Sequence, residues 1–180
     1  KKILATLMRR AYRRGVDESD LKTPMKFYRQ ARVAGNFDAG IESALSSVLV
    51  NPSFLLRIER DPKGIASNTA YRVSDLELAS RLSFFVWSSL PDDELFKLAG
   101  EKKLSANLEA QVRRMLQDPR SKALVDNFAM KWLRLDSLRT HQVDAKLFRN
   151  FNKDLREAMQ QETQWFLHGI LREDRSLLEL

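Results

Sequence analysis

Apolar residues recur at helical spacing from one end of this chain to the other. Ile3, Leu4, Leu7, Met8 and Ala11 form one stripe of an α-helix, with Arg9, Arg10, Arg13 and Arg14 mostly off it. Gly15 stops that helix, and Asp17 or Ser19 caps the next turn. Thr23-Pro24 reads as the start of a further helix, because a proline in the first turn lacks only an N–H that would have no partner there. Phe27, Ala31 and Val33 line it and Gly35 ends it. Asp38 caps a helix carrying Ile41, Ala44, Leu45, Val48 and Leu49. Asn51-Pro52 breaks it, and a short turn with Phe54, Leu55, Leu56 and Ile58 follows. From Arg60 to Val73, through Asp61-Pro62-Lys63-Gly64 and Ser67-Asn68-Thr69, the period disappears, as expected of a linker.

Ser74 and Glu77 make a capping box for a largely apolar helix with Leu78, Leu82, Phe85, Val86 and Trp87. Pro91-Asp92-Asp93-Glu94 starts another, with Pro at its first position and three carboxylates on the positive end of the dipole, and Gly100 ends it. A helix from Ser105 or Asn107 carries Leu108, Val112 and Leu116 and stops at Asp118-Pro119. Ser121 caps the next, which places Leu124, Val125, Phe128, Trp132 and Leu133 inside. After an irregular stretch over 135–151, Asn152 caps a long helix with Leu155, Met159, Trp165, Phe166 and Ile170 as its apolar residues, and Ser176 caps a last one reaching Leu180. No segment alternates with period two between turn signals, so the expected class is all-α. It comprises about eight short-to-medium helices in a bundle-like arrangement, or two small helical subdomains joined by short connections. The expected organisation is an N-terminal helical domain over 1–60, a linker over 61–73 and a second helical domain over 74–180, truncated at its C-terminus.

Composition narrows the chemistry. The chain carries no cysteine, which removes disulfides, thiolate metal sites, cysteine nucleophiles and covalent haem c from these residues. Its net charge of +7 is confined to residues 1–34, which hold ten basic and three acidic residues, while the remainder is neutral. Such an excess suits an acidic protein partner, and the aromatic residues interleaved at 10–14 and 26–29 suit a nucleic-acid groove more weakly. The plainer account is a solvated helix surface. No uncharged stretch approaches the roughly 20 residues of a membrane span.

His141 and His168 are the only histidines, and zinc or di-iron spacings are absent. His168, near a helix end, suits a cationic structural role, and His141 reads as surface. There is no phosphate-binding glycine loop and no nucleophile elbow. Asp92/Asp93 is better explained as a helix start, and Glu157 and Glu162 point to different helix faces.

The assembled segments carry a resemblance. Arg10-Ala11-Tyr12-Arg13-Arg14, Phe27-Tyr28, Gly35-Asn36-Phe37-Asp38-Ala39-Gly40-Ile41 and 49–59 resemble a helical domain of large planctomycete-type proteins, the domain of unknown function DUF1595. The stretch 78–95, with 111–116, 128–133 and Glu162-Thr163, resembles the domain that follows it, DUF1592. One departure is Asn51, where the family often has Ser or Thr. The resemblance implies a parent protein with a c-type cytochrome module upstream, further domains downstream and export to the periplasm or beyond. Haem c is then expected elsewhere in that parent, with no cofactor or metal in this chain. The resemblance carries no catalytic residues over. The candidates within its most specific stretch are Arg81, which needs a carboxylate partner if buried, Trp87, whose N–H wants an acceptor, and Asp92 and Asp93.

Three functions are therefore weighed. The leading one is a non-catalytic helical scaffold or interaction module of an exported multidomain cytochrome-c-type protein, partnered by that protein's other domains. The second is part of an oxidoreductase or hydrolase whose active site is completed by missing domains. The third is polyanion or nucleic-acid binding through residues 1–34.

Overall fold

A computed structural model describes all residues except 58, 60–63, 67 and 180, and the side chain of 177. Among the described residues every regular element is helical, so the chain is all-α. Part of the expected linker, Asp61-Pro62-Lys63 and Ser67, lies outside the described residues, as do Ile58, Arg60 and Leu180. The chain divides into two compact units, 1–80 with 90–103 and 81–89 with 104–180.

The first unit contains α1 (Lys2–Tyr12), α2 (Glu18–Ala34), α3 (Phe37–Leu49), the short α4 (Pro52–Leu55), the beginning of α5 (Asp75–Trp87) and α6 (Asp93–Gly100). Leu4, Met8 and Tyr12 of α1, Leu21 of α2, and Ala44 and Val48 of α3 form its core, with Met25, Tyr28 and Phe54 against them. Ile3 and Leu7, expected in this stripe, face outward, because Tyr12 closes the row that Leu4 and Met8 begin. α1 ends at Arg13, which sits in the left-handed region at φ 56°, before Gly15 is reached.

α2 does not start at Thr23-Pro24. Asp17 accepts from the backbone N–H groups of Ser19 and Asp20 while Asp20 accepts from that of Asp17, and this reciprocal cap nucleates the helix more than a turn earlier. Pro24 is thus a buried residue inside α2, and the residues turned inward beside it are Leu21, Met25, Tyr28 and Ala31. Phe27 and Val33 are exposed. Asn36 rather than Asp38 caps α3, accepting from the N–H of Ala39 at 3.0 Å. α2 and α3 pack tightly at Gly40, where an added Cβ would lie 2.9 Å from the Tyr28 ring. The box at Ser74 and Glu77 is formed as expected at the start of α5. At α6 the cap is Asp92, so Pro91 precedes the helix rather than opening it.

The second unit contains the rest of α5, α7 (Leu108–Gln117), an interrupted helix and α10 (Lys153–Arg172). α7 buries Gln111 and Met115, with Val112 and Leu116 half-buried beside them. The interrupted helix begins as α8 (Lys122–Leu124), continues as a π-helical turn (Val125–Ala129), and ends as α9 (Met130–Trp132). Ser121 does not cap it; its hydroxyl donates to the carbonyl of Leu116. In the π-turn the N–H of Met130 donates to the carbonyl of Val125, five residues back. That extra residue per turn rotates everything after it. Leu124 and Val125 are therefore followed inside by Ala129 and Met130, and the expected core residues Phe128, Trp132 and Leu133 turn outward. α10 shows a similar inversion. Leu167 and Ile170 are buried, with Leu167 joining Val125 and Ala129 in a small core. Leu155, Met159, Trp165 and Phe166 are exposed. The half-buried residues earlier on α10 are polar, namely Arg156, Gln160, Thr163 and Gln164; Arg156 and Gln160 donate to backbone carbonyls of the 135–141 segment, and Gln164 to Asp126.

Candidate functional site

The sequence candidates divide between the two units. Trp87, at the end of α5, is 3% exposed, and its indole N–H donates to the carbonyl of Met115 at 3.0 Å. The guanidinium of Arg120 lies 3.5 Å from the centre of the indole ring and that of Arg114 lies 5.6 Å away. Arg120 is held in turn by Asp118 through two hydrogen bonds of 2.9 and 2.7 Å, and Asp118 also accepts from the backbone N–H of Arg120. The hydrogen bond from Arg120 chiefly pulls the Asp118 carboxyl down to about 2, with the backbone N–H and the charges of Arg120 and Arg114 adding to it against partial desolvation. Arg114 donates to the buried side chain of Gln111. The turn at Asp118-Pro119-Arg120 thus folds a charged plane onto the indole and pins α5 to α7. That is packing chemistry, with guanidinium groups against the ring and its one polar atom already used.

Arg81 is exposed, so it is not the buried cation the sequence allowed for. The buried polar residues on that helix are Ser80 and Ser83, which no pattern in the sequence singled out. Asp92 accepts from the N–H of Leu95 as the cap of α6. Arg10 donates through one terminal guanidinium nitrogen to both carboxylate oxygens of Asp93 at 2.7 and 2.8 Å, exposed on both sides. Both carboxylates have helix-building or pairing roles in the first unit, whereas Arg81 and Trp87 belong to the second.

The first unit also holds a polar cleft of ≈ 610 Å³ behind the end of α1. Arg13, turned sideways by its left-handed backbone, donates to the carbonyls of Ser53, Phe54 and Leu56 at the end of α4. Burial, and secondly the charge of Arg57, lowers its pKa. Arg14 makes two hydrogen bonds to Asp20, and these chiefly keep the Asp20 carboxyl below its ordinary range. Burial, then the charge of Asp20, raises the Tyr12 hydroxyl against the opposing pull of Arg14. The arginines of this region thus tie α1 to α2 and α4. Elsewhere in the N-terminal segment Lys1 pairs with Glu18, Arg32 donates to the Tyr28 hydroxyl, and Arg9 lies over the Phe96 ring. Much of the positive charge of residues 1–34 is therefore engaged within the unit.

His168 is half-buried on α10, and its Nε2 is buried without a hydrogen-bond partner. Burial is the main cause of its lowered pKa; Asp126 opposes this, and Lys122 and Arg172 add to it. It is therefore held toward the neutral form, and the cationic role expected from its place near the helix end is not taken up. His141 is exposed, and its backbone carbonyl accepts from Arg156 at 2.7 Å. Glu157 pairs with Lys153 one turn before it. Among the described residues no group of His, Asp and Glu could hold a metal ion, and no helix is long and apolar enough to cross a membrane.

The structure exposes one feature the sequence did not point to. Phe85 meets Phe128 edge-on with ring centres 5.3 Å apart, and Phe128 stacks on Trp132 at 6.1 Å. All three rings are exposed, Trp132 at 63%. The only signal for it was the apolar character of the residues, which equally suited a core.

A search of curated proteins and a search of solved structures each return no match. Residues 1–59 match the family model described as protein of unknown function (DUF1595), and residues 73–180 match that described as protein of unknown function (DUF1592). The chain accordingly belongs to the DUF1592 family, with a DUF1595 region preceding it in the order expected from its motifs.

Proposed function

We propose that this chain is a non-catalytic helical interaction module within a larger exported protein that also carries a c-type cytochrome module. The observation that carries the reading is the outward aromatic row Phe85–Phe128–Trp132, created by the π-turn. An exposed aromatic cluster of this kind marks a surface for protein contact. The exposed apolar residues of α10 support it in the same way. So do the candidate chemical groups, since Trp87, Asp92 and Asp93 are each engaged in packing, capping or pairing.

The test is carbene footprinting of Phe128 and Trp132 in the isolated chain and in the full-length parent. Several-fold lower labelling in the parent is the expected result. Equal labelling in both, or substrate turnover or haem binding by the isolated chain, overturns the reading.

A further inference from the structure

A second cleft, of ≈ 670 Å³, runs along α10 in the second unit. At one end stand Arg139, Lys153 and Arg156. At the other stand Gln160, Gln161 and Gln164. The cationic end is undercompensated. The Arg156 guanidinium donates to the backbone carbonyls of Arg139 and His141 and stacks on the Phe151 ring at 5.1 Å. Among the described residues no carboxylate lies within ion-pair distance of it, and its Nε is buried without a partner. The one acid in the lining, Glu157, is taken by Lys153 at 3.5 Å. A half-buried cation held by carbonyl dipoles and a ring, with no carboxylate partner, gains from an arriving anion, which offsets its desolvation.

The amide end asks for something different. Gln160 donates through Nε2 to the carbonyl of Leu135, and Gln164 through Nε2 to Asp126. Their Oε1 atoms accept from no described donor, and Gln161 is exposed beside them. These carbonyl oxygens are open to solvent and can accept from a ligand's hydroxyl groups. A ligand that satisfies both ends carries a carboxylate at one end and hydroxyl groups along its length. From 153 to 164 the helix advances about 16 Å, so the cleft is longer than a single small acid.

We infer that this cleft binds a polyhydroxylated carboxylate, with the acid group at Lys153, Arg139 and Arg156 and the hydroxyls donating to Gln160 and Gln164. The inference is independent of the aromatic surface above. Isothermal titration of the 180-residue chain at about 150 mM ionic strength, where weak surface attraction is screened, compares three probes. Gluconate carries both chemistries, propionate only the acid and glycerol only the hydroxyls. Gluconate is expected to saturate in the millimolar range or tighter, propionate to bind about tenfold more weakly, as losing hydrogen bonds of ordinary strength dictates, and glycerol to give no saturable heat. Lys153→Ala, at a side chain 84% exposed, should weaken gluconate severalfold without disturbing the fold. Gln164→Ala should reduce the preference for gluconate over propionate. The inference is overturned by the absence of saturable gluconate binding, by equal binding of propionate, or by unchanged affinity in Lys153→Ala with an unchanged circular dichroism spectrum.

Discussion

Replacing Trp87 by Phe tests whether the indole clamp is structural. The substitution keeps an aromatic ring beneath Arg120 but removes the N–H that reaches Met115 O at 3.0 Å in a fully buried setting. Met115 O retains the backbone N–H of Asp118 at 3.3 Å, so the carbonyl is not stranded and the lost bond costs about 1 kcal/mol. The vacated space of the missing ring adds about 1 kcal/mol, since buried surroundings relax only in part. Phe also attracts a guanidinium less than Trp does, by a few tenths of a kcal/mol up to about 1. The sum, about 2–3 kcal/mol, is a large share of the 5–15 kcal/mol typical of a domain. Urea unfolding followed by circular dichroism should show a lower midpoint with an unchanged slope. The control is Trp132→Phe, the same chemical change at a 63% exposed ring, which should stay within about 0.5 kcal/mol. Equal effects at the two positions, or a cost below about 0.5 kcal/mol at Trp87, would refute the reasoning.

Other outcomes follow from separate parts of the structure. Gly40→Ala places a Cβ 2.9 Å from the Tyr28 ring and should destabilise the chain by about 1–3 kcal/mol in the same assay, the range for overpacking. Asp17→Ala removes the reciprocal cap of α2 and should cost about 1 kcal/mol, with a corresponding fall in melting temperature. Asp118 titrates near 2 when folded, so its contribution is complete above the ordinary carboxylate range and lost as pH falls toward 2. The acid-unfolding curve of Asp118→Asn should therefore converge on that of the unaltered chain at low pH. His168 titrates below its ordinary value, so the unfolded chain binds its proton first and stability falls as pH drops through about 6.5 and below. His168→Gln should flatten that part of the stability profile, and an unchanged slope would count against a buried neutral imidazole.

Local rules were most legible where a residue acts on its own neighbours. Ser74 and Glu77 cap α5, Asn152 caps α10, and Gly35 and Asp118-Pro119 end their helices. Each depends on backbone donors or dihedral limits a few residues away, which sequence specifies directly. Where two local signals competed, the choice was less visible. Thr23-Pro24 is a reasonable start in isolation, but the reciprocal cap at Asp17 and Asp20 starts the helix earlier in the chain and leaves Pro24 inside α2. Trp87's need for an acceptor could be read from its chemistry, but Met115, Arg114 and Arg120 as its surroundings could not, because they lie on another helix and in the turn after it.

The sequence by itself determined that every regular element among the described residues is helical and that the chain belongs with its family, because periodicity, caps and contiguous motifs are local properties. Which face of each helix is covered was decided only by tertiary structure. A stripe recurring every three or four residues says that a helix has sides, not which side meets a neighbour. One additional residue in the turn at Val125–Ala129 therefore exchanged Phe128 and Trp132 for Ala129 and Met130 in the core. On α10 the carbonyls of the 135–141 segment drew Arg156 and Gln160 inward and left Leu155, Met159 and Trp165 facing out. Both the aromatic surface and the amide-lined cleft arise from those two exchanges, in which the three-dimensional path of the chain overrides the preference each side chain shows alone.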